Sequence, residues 1–165
     1  MYFKQKDFFG SLSNDFVKKI MKIAETDSFQ AGQLLFHEGD PADRLYILLK
    51  GHVKLSLGQT GQVVYVVSHA GEAFGWSSLV GRSSYSATAE CVTATKLLKF
   101  DKEKIKTVVE KDTTNGLILF QNLAAILGNR LIQGYTTNFS ATTTGEFSSL
   151  GTGQVMEVTE TELEK

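Results

Sequence analysis

Glycine punctuates the middle of this chain too often for helices. It stands at positions 32, 39, 51, 58, 61, 71, 75 and 81. The apolar runs between and beyond these glycines are Leu34–Phe36, Leu45–Leu49, Val53–Leu57, Val63–Val67 and Lys96–Phe100. Each is too short for a stable helix, and most carry the β-branched or aromatic residues that suit a pleated surface. Short strands at regular spacing predict a sandwich or barrel. Gly58-Gln59-Thr60-Gly61, between two alternating runs, predicts a hairpin turn whose left-handed positions fall on glycine.

The period changes on either side of this region. Over residues 7–26, Leu12, Phe16, Ile20 and Ile23 recur at helical spacing, with Ser13 or Asn14 placed to cap the first turn. After the strands, Lys102–Glu110 reads as a short charged helix and residues 115–137 as a long one. Leu117, Phe120, Ala124, Leu127, Leu131 and Gly134 form an alternating 3–4 seam on the long helix, of the kind that pairs helices. Leu119, Leu123 and Ile126 form a second stripe. One stripe can pack on the strands while the other meets a second copy, making a homodimer, or both can bury within one monomer. Ala124, Gly128 and Gly134 would permit close approach. The resulting division is an N-terminal helical region 1–26, a β region 27–101, C-terminal helices 102–139 and a flexible acidic tail 140–165. Within that tail, Gln154–Val158 has the look of a short strand piece.

With 165 residues the chain suits one domain with one principal core. Residues 1–140 hold 16 Lys/Arg against 13 Asp/Glu, and residues 141–165 hold 1 against 5, so the net charge is -1. That balance gives no broad electrostatic grip on nucleic acid or an anionic membrane. Cys91 is the single cysteine, which excludes an internal disulfide and suits a reducing compartment. The N-terminus has no apolar signal region, and no stretch approaches the ~20 apolar residues of a membrane span. The expectation is a cytoplasmic protein without membrane contact.

Two stretches carry the chemistry. Residues 31–55 read AGQLLFHEGDPADRLYILLKGHVKL, with tight turns at Glu38-Gly39-Asp40-Pro41 and Lys50-Gly51. Residues 71–100 read GEAFGWSSLVGRSSYSATAECVTATKLLKF. Here Gly75 would let backbone approach a ligand, Trp76–Val80 suits one helical turn whose free N–H groups favour an anion, and Tyr85–Ala89 returns as a strand.

In order and spacing these stretches resemble the ligand-binding domain of the cyclic-nucleotide-binding superfamily, in its Crp/Fnr (catabolite activator) branch. The likeness covers about residues 10–137. It implies a mostly β fold with flanking helices: an eight-stranded, double-stranded β-roll of the jelly-roll, cupin-like kind, followed by a long C-terminal dimerisation helix. It also implies a phosphate-binding cassette at residues 71–89, and a cyclic nucleotide or another small anionic or aromatic ligand as the candidate occupant. The candidate ligand-binding residues are Phe74, Gly75, Trp76, Ser77, Ser78, Leu79, Arg82, Tyr85, Ser86 and Ala87. The candidate dimer residues are Leu117, Phe120, Ala124, Leu127 and Leu131.

The cassette departs from the family pattern at two positions. The family reads Phe-Gly-Glu and then, a few residues on, Arg before small residues. The glutamate accepts from the ribose and the arginine pairs with the cyclic phosphate. Trp76 stands at the glutamate position, and Tyr85 stands at the arginine position before Ser86-Ala87. Two readings follow. The rings can line a remodelled pocket for a different ligand, or they can fill the old cavity. Arg82 can replace the arginine or lie in solvent, and Ser77 and Ser78 can donate to an anion or cap the short turn.

Other chemistry has less support. A cupin-like metalloenzyme needs a His-x-His pair, and His37, His52 and His69 do not supply one. No paired spacing of Cys91 and the histidines favours haem. No metal site and no catalytic residue is assigned. The 25 residues after Ser140 are polar and acidic and do not resemble a winged helix. The expectation is therefore a regulatory ligand-sensing module that does not itself bind nucleic acid. It would act through a homodimer or a protein partner. The alternative is a degenerate roll kept as a dimerisation or interaction scaffold.

Overall fold

The computed structural model describes residues 8–141, with side chains through Tyr135. Met1–Asp7 and residues 142–165, which include the tail and the strand piece expected at Gln154–Val158, lie outside the described residues. Of the described residues, those up to Gly128 belong to one compact unit and those from Asn129 to a second.

Helix α1 (Asn14–Lys22) opens on Ser13, whose hydroxyl accepts from the Phe16 N–H at 3.2 Å. Eight strands follow: β1 (Glu25–Phe29), β2 (Leu34–Phe36), β3 (Arg44–Lys50), β4 (Val53–Leu57), β5 (Gln62–Val67), β6 (Ala73–Phe74), β7 (Thr88–Cys91) and β8 (Thr95–Asp101). A single 3-10 turn, Trp76–Ser78, lies between β6 and β7. Two helices complete the described chain, α2 (Lys102–Lys111) and α3 (Thr113–Ala141). The strands form two antiparallel four-stranded sheets, β1-β8-β3-β6 and β2-β7-β4-β5. This is the β-roll with flanking helices that the glycine-spaced runs and the family resemblance imply.

Alternation along β3 explains why its sequence is almost continuously apolar. Leu45 and Ile47 face one cluster with Phe16, Ile20, Leu98, Phe100, Ile105, Leu119 and Leu123. Tyr46 and Leu48 face a second cluster with Val53, Leu55, Val67, Ala89, Cys91 and Leu97. The first sheet is thus covered on one side by helices and on the other by the second sheet.

The sequence missed β1. Its pattern is mostly exposed, and it pairs as an edge strand with β8, so its polar residues show no apolar alternation. The strand expected at Tyr85–Ala89 is regular only over Thr88–Cys91. Tyr85 instead exchanges backbone bonds with the turn before β3: the Tyr85 N–H donates to the Asp40 carbonyl, and the Gly39 N–H donates to the Tyr85 carbonyl, both at 2.9 Å. A bridge from Pro41 to Ser84 and a bond from the Ala42 N–H to the Ser83 carbonyl at 2.9 Å extend this pairing. Pro41 has no N–H and contributes no donor of its own, which keeps the pairing irregular.

Candidate functional site

The cassette begins where β6 ends. Phe74 is fully buried between the sheets, and Gly75 then turns the chain with φ +72°. A side chain at Gly75 would place its Cβ 3.0 Å from the Tyr46 ring and 3.1 Å from the Arg44 carbonyl. The position therefore needs glycine both for its left-handed backbone and for close approach. The Ser78 hydroxyl donates to the Gly75 carbonyl at 2.9 Å, closing the 3-10 turn.

Trp76 and Tyr85 do not face each other. Trp76, half-buried, packs with Leu79 against the helix-side cluster that holds Ile47, Phe100 and Leu119. Tyr85, 4% exposed, lies in the cluster between the sheets. Its ring stacks on Phe36 with centroids 3.7 Å apart and planes 17° from parallel. Phe36 also lies 5.6 Å from Tyr46 and 6.4 Å from Phe74, and Tyr46 stacks on Phe74 at 5.3 Å. Four aromatic rings from β2, β3, β6 and the approach to β7 thus occupy one end of the roll interior. Sequence reasoning named Phe74 and Tyr85 but missed Phe36 and Tyr46. The available signal was alternation: Tyr46 sits one residue from Leu45 and Ile47, on the face turned toward the second sheet.

The Tyr85 hydroxyl is fully engaged. It donates to the Arg44 carbonyl at 2.9 Å and accepts from the Arg44 N–H at 3.1 Å. Burial, reinforced by the neighbouring Tyr46, pushes its pKa far above the ordinary phenol range. Burial likewise raises the pKa of Tyr46. Both phenols therefore stay neutral near pH 7 and act as hydrogen-bonding rings rather than as charges.

The structure brings together one polar pair from the two halves of the cassette. The Ser77 and Ser86 hydroxyls lie 3.4 Å apart, with Ser77 3% exposed and Ser86 half-buried. Ala87 is half-buried against the inter-sheet cluster. Arg82 is exposed on the loop after Gly81. Among the described residues no three His, Cys, Asp or Glu side chains converge as a metal-binding group. Cys91 is buried between the sheets, and burial raises its thiol pKa. No helix among the described residues is long and apolar enough to cross a membrane.

The exposed stripe of α3 is the other candidate surface. Leu119 and Leu123 are each 2% exposed and pack beneath the helix, whereas Leu117 is 61% and Phe120 38% exposed. Ala124 is exposed, and Leu127 is partly buried against the helix-side cluster. Further along, Leu131 is 55% exposed.

The geometry can be set beside known proteins. A solved chain from Geobacter metallireducens GS-15 is 31% identical, with TM-score 0.68, covering 75% of this chain and 91% of that one. A cyclic nucleotide-binding domain from Methylobacillus flagellatus KT superposes with TM-score 0.74 over 85% of this chain and 79% of that one. At 23% identity it speaks for the fold alone. The Thermus thermophilus cyclic AMP receptor protein is 27% identical over 130 residues, 78% of this chain and 58% of that protein. The chain spans a quarter or less of several other curated relatives. The family model described as cyclic nucleotide-binding domain matches residues 26–112, which is more than half of the chain. By sequence and by architecture, the chain belongs to the cyclic nucleotide-binding domain family, in its Crp/Fnr-type branch.

Proposed function

We propose that this chain is a regulatory module whose roll interior is occupied by its own aromatic side chains in place of a cyclic nucleotide, and that it acts through α3. The observation that carries this reading is the state of Tyr85. It occupies the sequence position of the family's phosphate-pairing arginine, stacks on Phe36, and spends its hydroxyl on Arg44. A guanidinium there would meet a cyclic phosphate, whereas a neutral phenol committed to the backbone offers it nothing. Trp76, at the glutamate position, belongs to the helix-side core and offers no acceptor to a ribose. The module works without catalysis. Its output surface is the stripe formed by Leu117, Phe120 and Ala124, which fits a second copy of α3.

One observation favours a second reading, a sensor for a small non-standard ligand. The Ser77–Ser86 pair keeps two hydroxyls within the cassette, close enough to bind one small polar group. Isothermal titration separates the two readings. The expected result is no saturable heat with cyclic AMP, cyclic GMP or a panel of small anionic metabolites. Saturable binding of either cyclic nucleotide would overturn the occupied-interior reading. Saturable binding of another anion that is lost in Ser77→Ala would establish the sensor.

A further inference from the structure

Residues 8–13 form no regular element, yet they are fastened to α3 at both ends. Phe8 and Phe9, 2% and 9% exposed, meet edge to face at 5.2 Å. Both lie in the cluster that contains Leu119 and Leu123 of α3. Asn122 donates its side-chain amide to the Phe8 carbonyl at 3.1 Å and to the Gly10 carbonyl at 2.7 Å. Seven residues earlier, the Asn115 side-chain oxygen accepts from the Ser13 N–H at 2.8 Å, while its amide donates to Asp112 at 2.9 Å. Between these anchors, Ser11 holds φ +61°, alone among the described non-glycine residues in positive φ. Serine adopts that conformation reluctantly, so the fastened ends impose it.

Asn115 and Asn122 lie on α3 although asparagine is a poor helix former. Here each supplies backbone groups of the segment with the partners that no regular element gives them. Trp76 and Leu79 of the cassette pack against the same cluster, so segment, cassette and α3 share one core.

We infer that residues 8–13 are a latch that sets the pose of α3. Seated, the latch holds residues 113–128 against the roll. Withdrawn, it strips α3 of Phe8, Phe9 and three hydrogen bonds at once, and the Leu119–Leu123 stripe is freed. A binding event that captures the withdrawn segment would therefore shift the population toward released α3. The input to the module would arrive from the N-terminal side, not from the roll interior.

Native-state hydrogen exchange of the 165-residue chain in low urea tests it. Amides of residues 8–13 and of Leu117–Ile126 are expected to exchange as one unit, with a common opening equilibrium below that of β3 and β8. Asn122→Ala should raise exchange of that unit alone by roughly tenfold or more, and Asn115→Ala by less. The inference is overturned if α3 keeps its protection after residues 8–13 have lost theirs, or if α3 opens only together with the strands. The wild-type measurement decides the matter even should either alanine variant fail to fold.

Discussion

One hydroxyl, that of Tyr85, holds both backbone groups of Arg44: the carbonyl at 2.9 Å and the N–H at 3.1 Å. Arg44 begins β3, and its side chain reaches Glu25 of β1 at 3.5 Å, while Glu25 also lies 3.6 Å from Lys104 of α2. The residue before it, Asp43, accepts from the Lys102 N–H at the start of α2. The phenol therefore fixes the start of the central strand at the point where the roll meets its first C-terminal helix.

Removing only that hydroxyl should register clearly. Tyr85→Phe keeps the ring stacked on Phe36 but leaves two half-buried backbone groups without their partner. The expected loss is about 1–3 kcal/mol in urea unfolding. Tyr85→Ala also opens a cavity among four rings and should lose about 3–5 kcal/mol. A phenylalanine variant as stable as wild type would show that the clamp contributes nothing.

Because Trp76 and Tyr85 face opposite sides of the first sheet, restoring the family's residues should not rebuild a pocket. Trp76→Glu puts a carboxylate into the helix-side cluster, and Tyr85→Arg puts a guanidinium among aromatic rings. Each substitution should destabilise the fold. Their costs should add to within ~0.5 kcal/mol in a double-mutant cycle, as for sites without shared partners. Coupling well beyond that value, or cyclic AMP binding by the double variant, would mean the two positions share one site.

The contrast between these two residues marks how far the sequence could be read. Local signals placed β2 and β4 at their observed ends and found the Ser13 cap, because each depends on neighbours a few residues away. The two stripes of α3 were legible for the same reason, and the structure buries Leu119 and Leu123 while exposing Leu117 and Phe120. The cassette was legible as a segment but not as a surface. Which sheet face Trp76 takes depends on the left-handed turn at Gly75 and on packing against helices distant in sequence. The Phe8–Ser13 segment was illegible, since its bonds to Asn115 and Asn122 span more than 100 residues of chain and no local period announces them.

Acid should weaken the seam between β1 and β8. The Lys99 ammonium, donating to Asp27 at 2.7 Å, holds that carboxyl below its usual range, helped by the Ser28 N–H. A depressed folded-state pKa gives stability that is complete above the unfolded value near ~3.9 and is lost as pH falls through the folded value. Asp27→Asn should therefore be less stable than wild type at pH 7, with the deficit closing below about pH 4. The deficit should also shrink in high salt, because the carboxylate is substantially exposed. Urea titrations at pH 7 and pH 3 check both points. A deficit of equal size at the two pH values would assign it to packing instead.

Opposite faces of α3 should respond differently to the same charge. Leu123 is 2% exposed beneath the helix, so Leu123→Glu buries an unpaired carboxylate and should unfold the domain or cost several kcal/mol, on the order of 3–5. Phe120, three residues earlier and 38% exposed, touches no such requirement in a single copy. Phe120→Glu should leave the urea midpoint of the isolated monomer nearly unchanged. If α3 pairs with a second copy through the Leu117–Phe120–Ala124 stripe, the glutamates of the two copies would face each other across the seam and drive them apart. Sedimentation of the wild-type chain at micromolar concentration should then give a dimer, and that of Phe120→Glu a monomer with an unaltered circular dichroism spectrum. A wild-type chain that sediments as a monomer at all accessible concentrations would leave this stripe without a homotypic role.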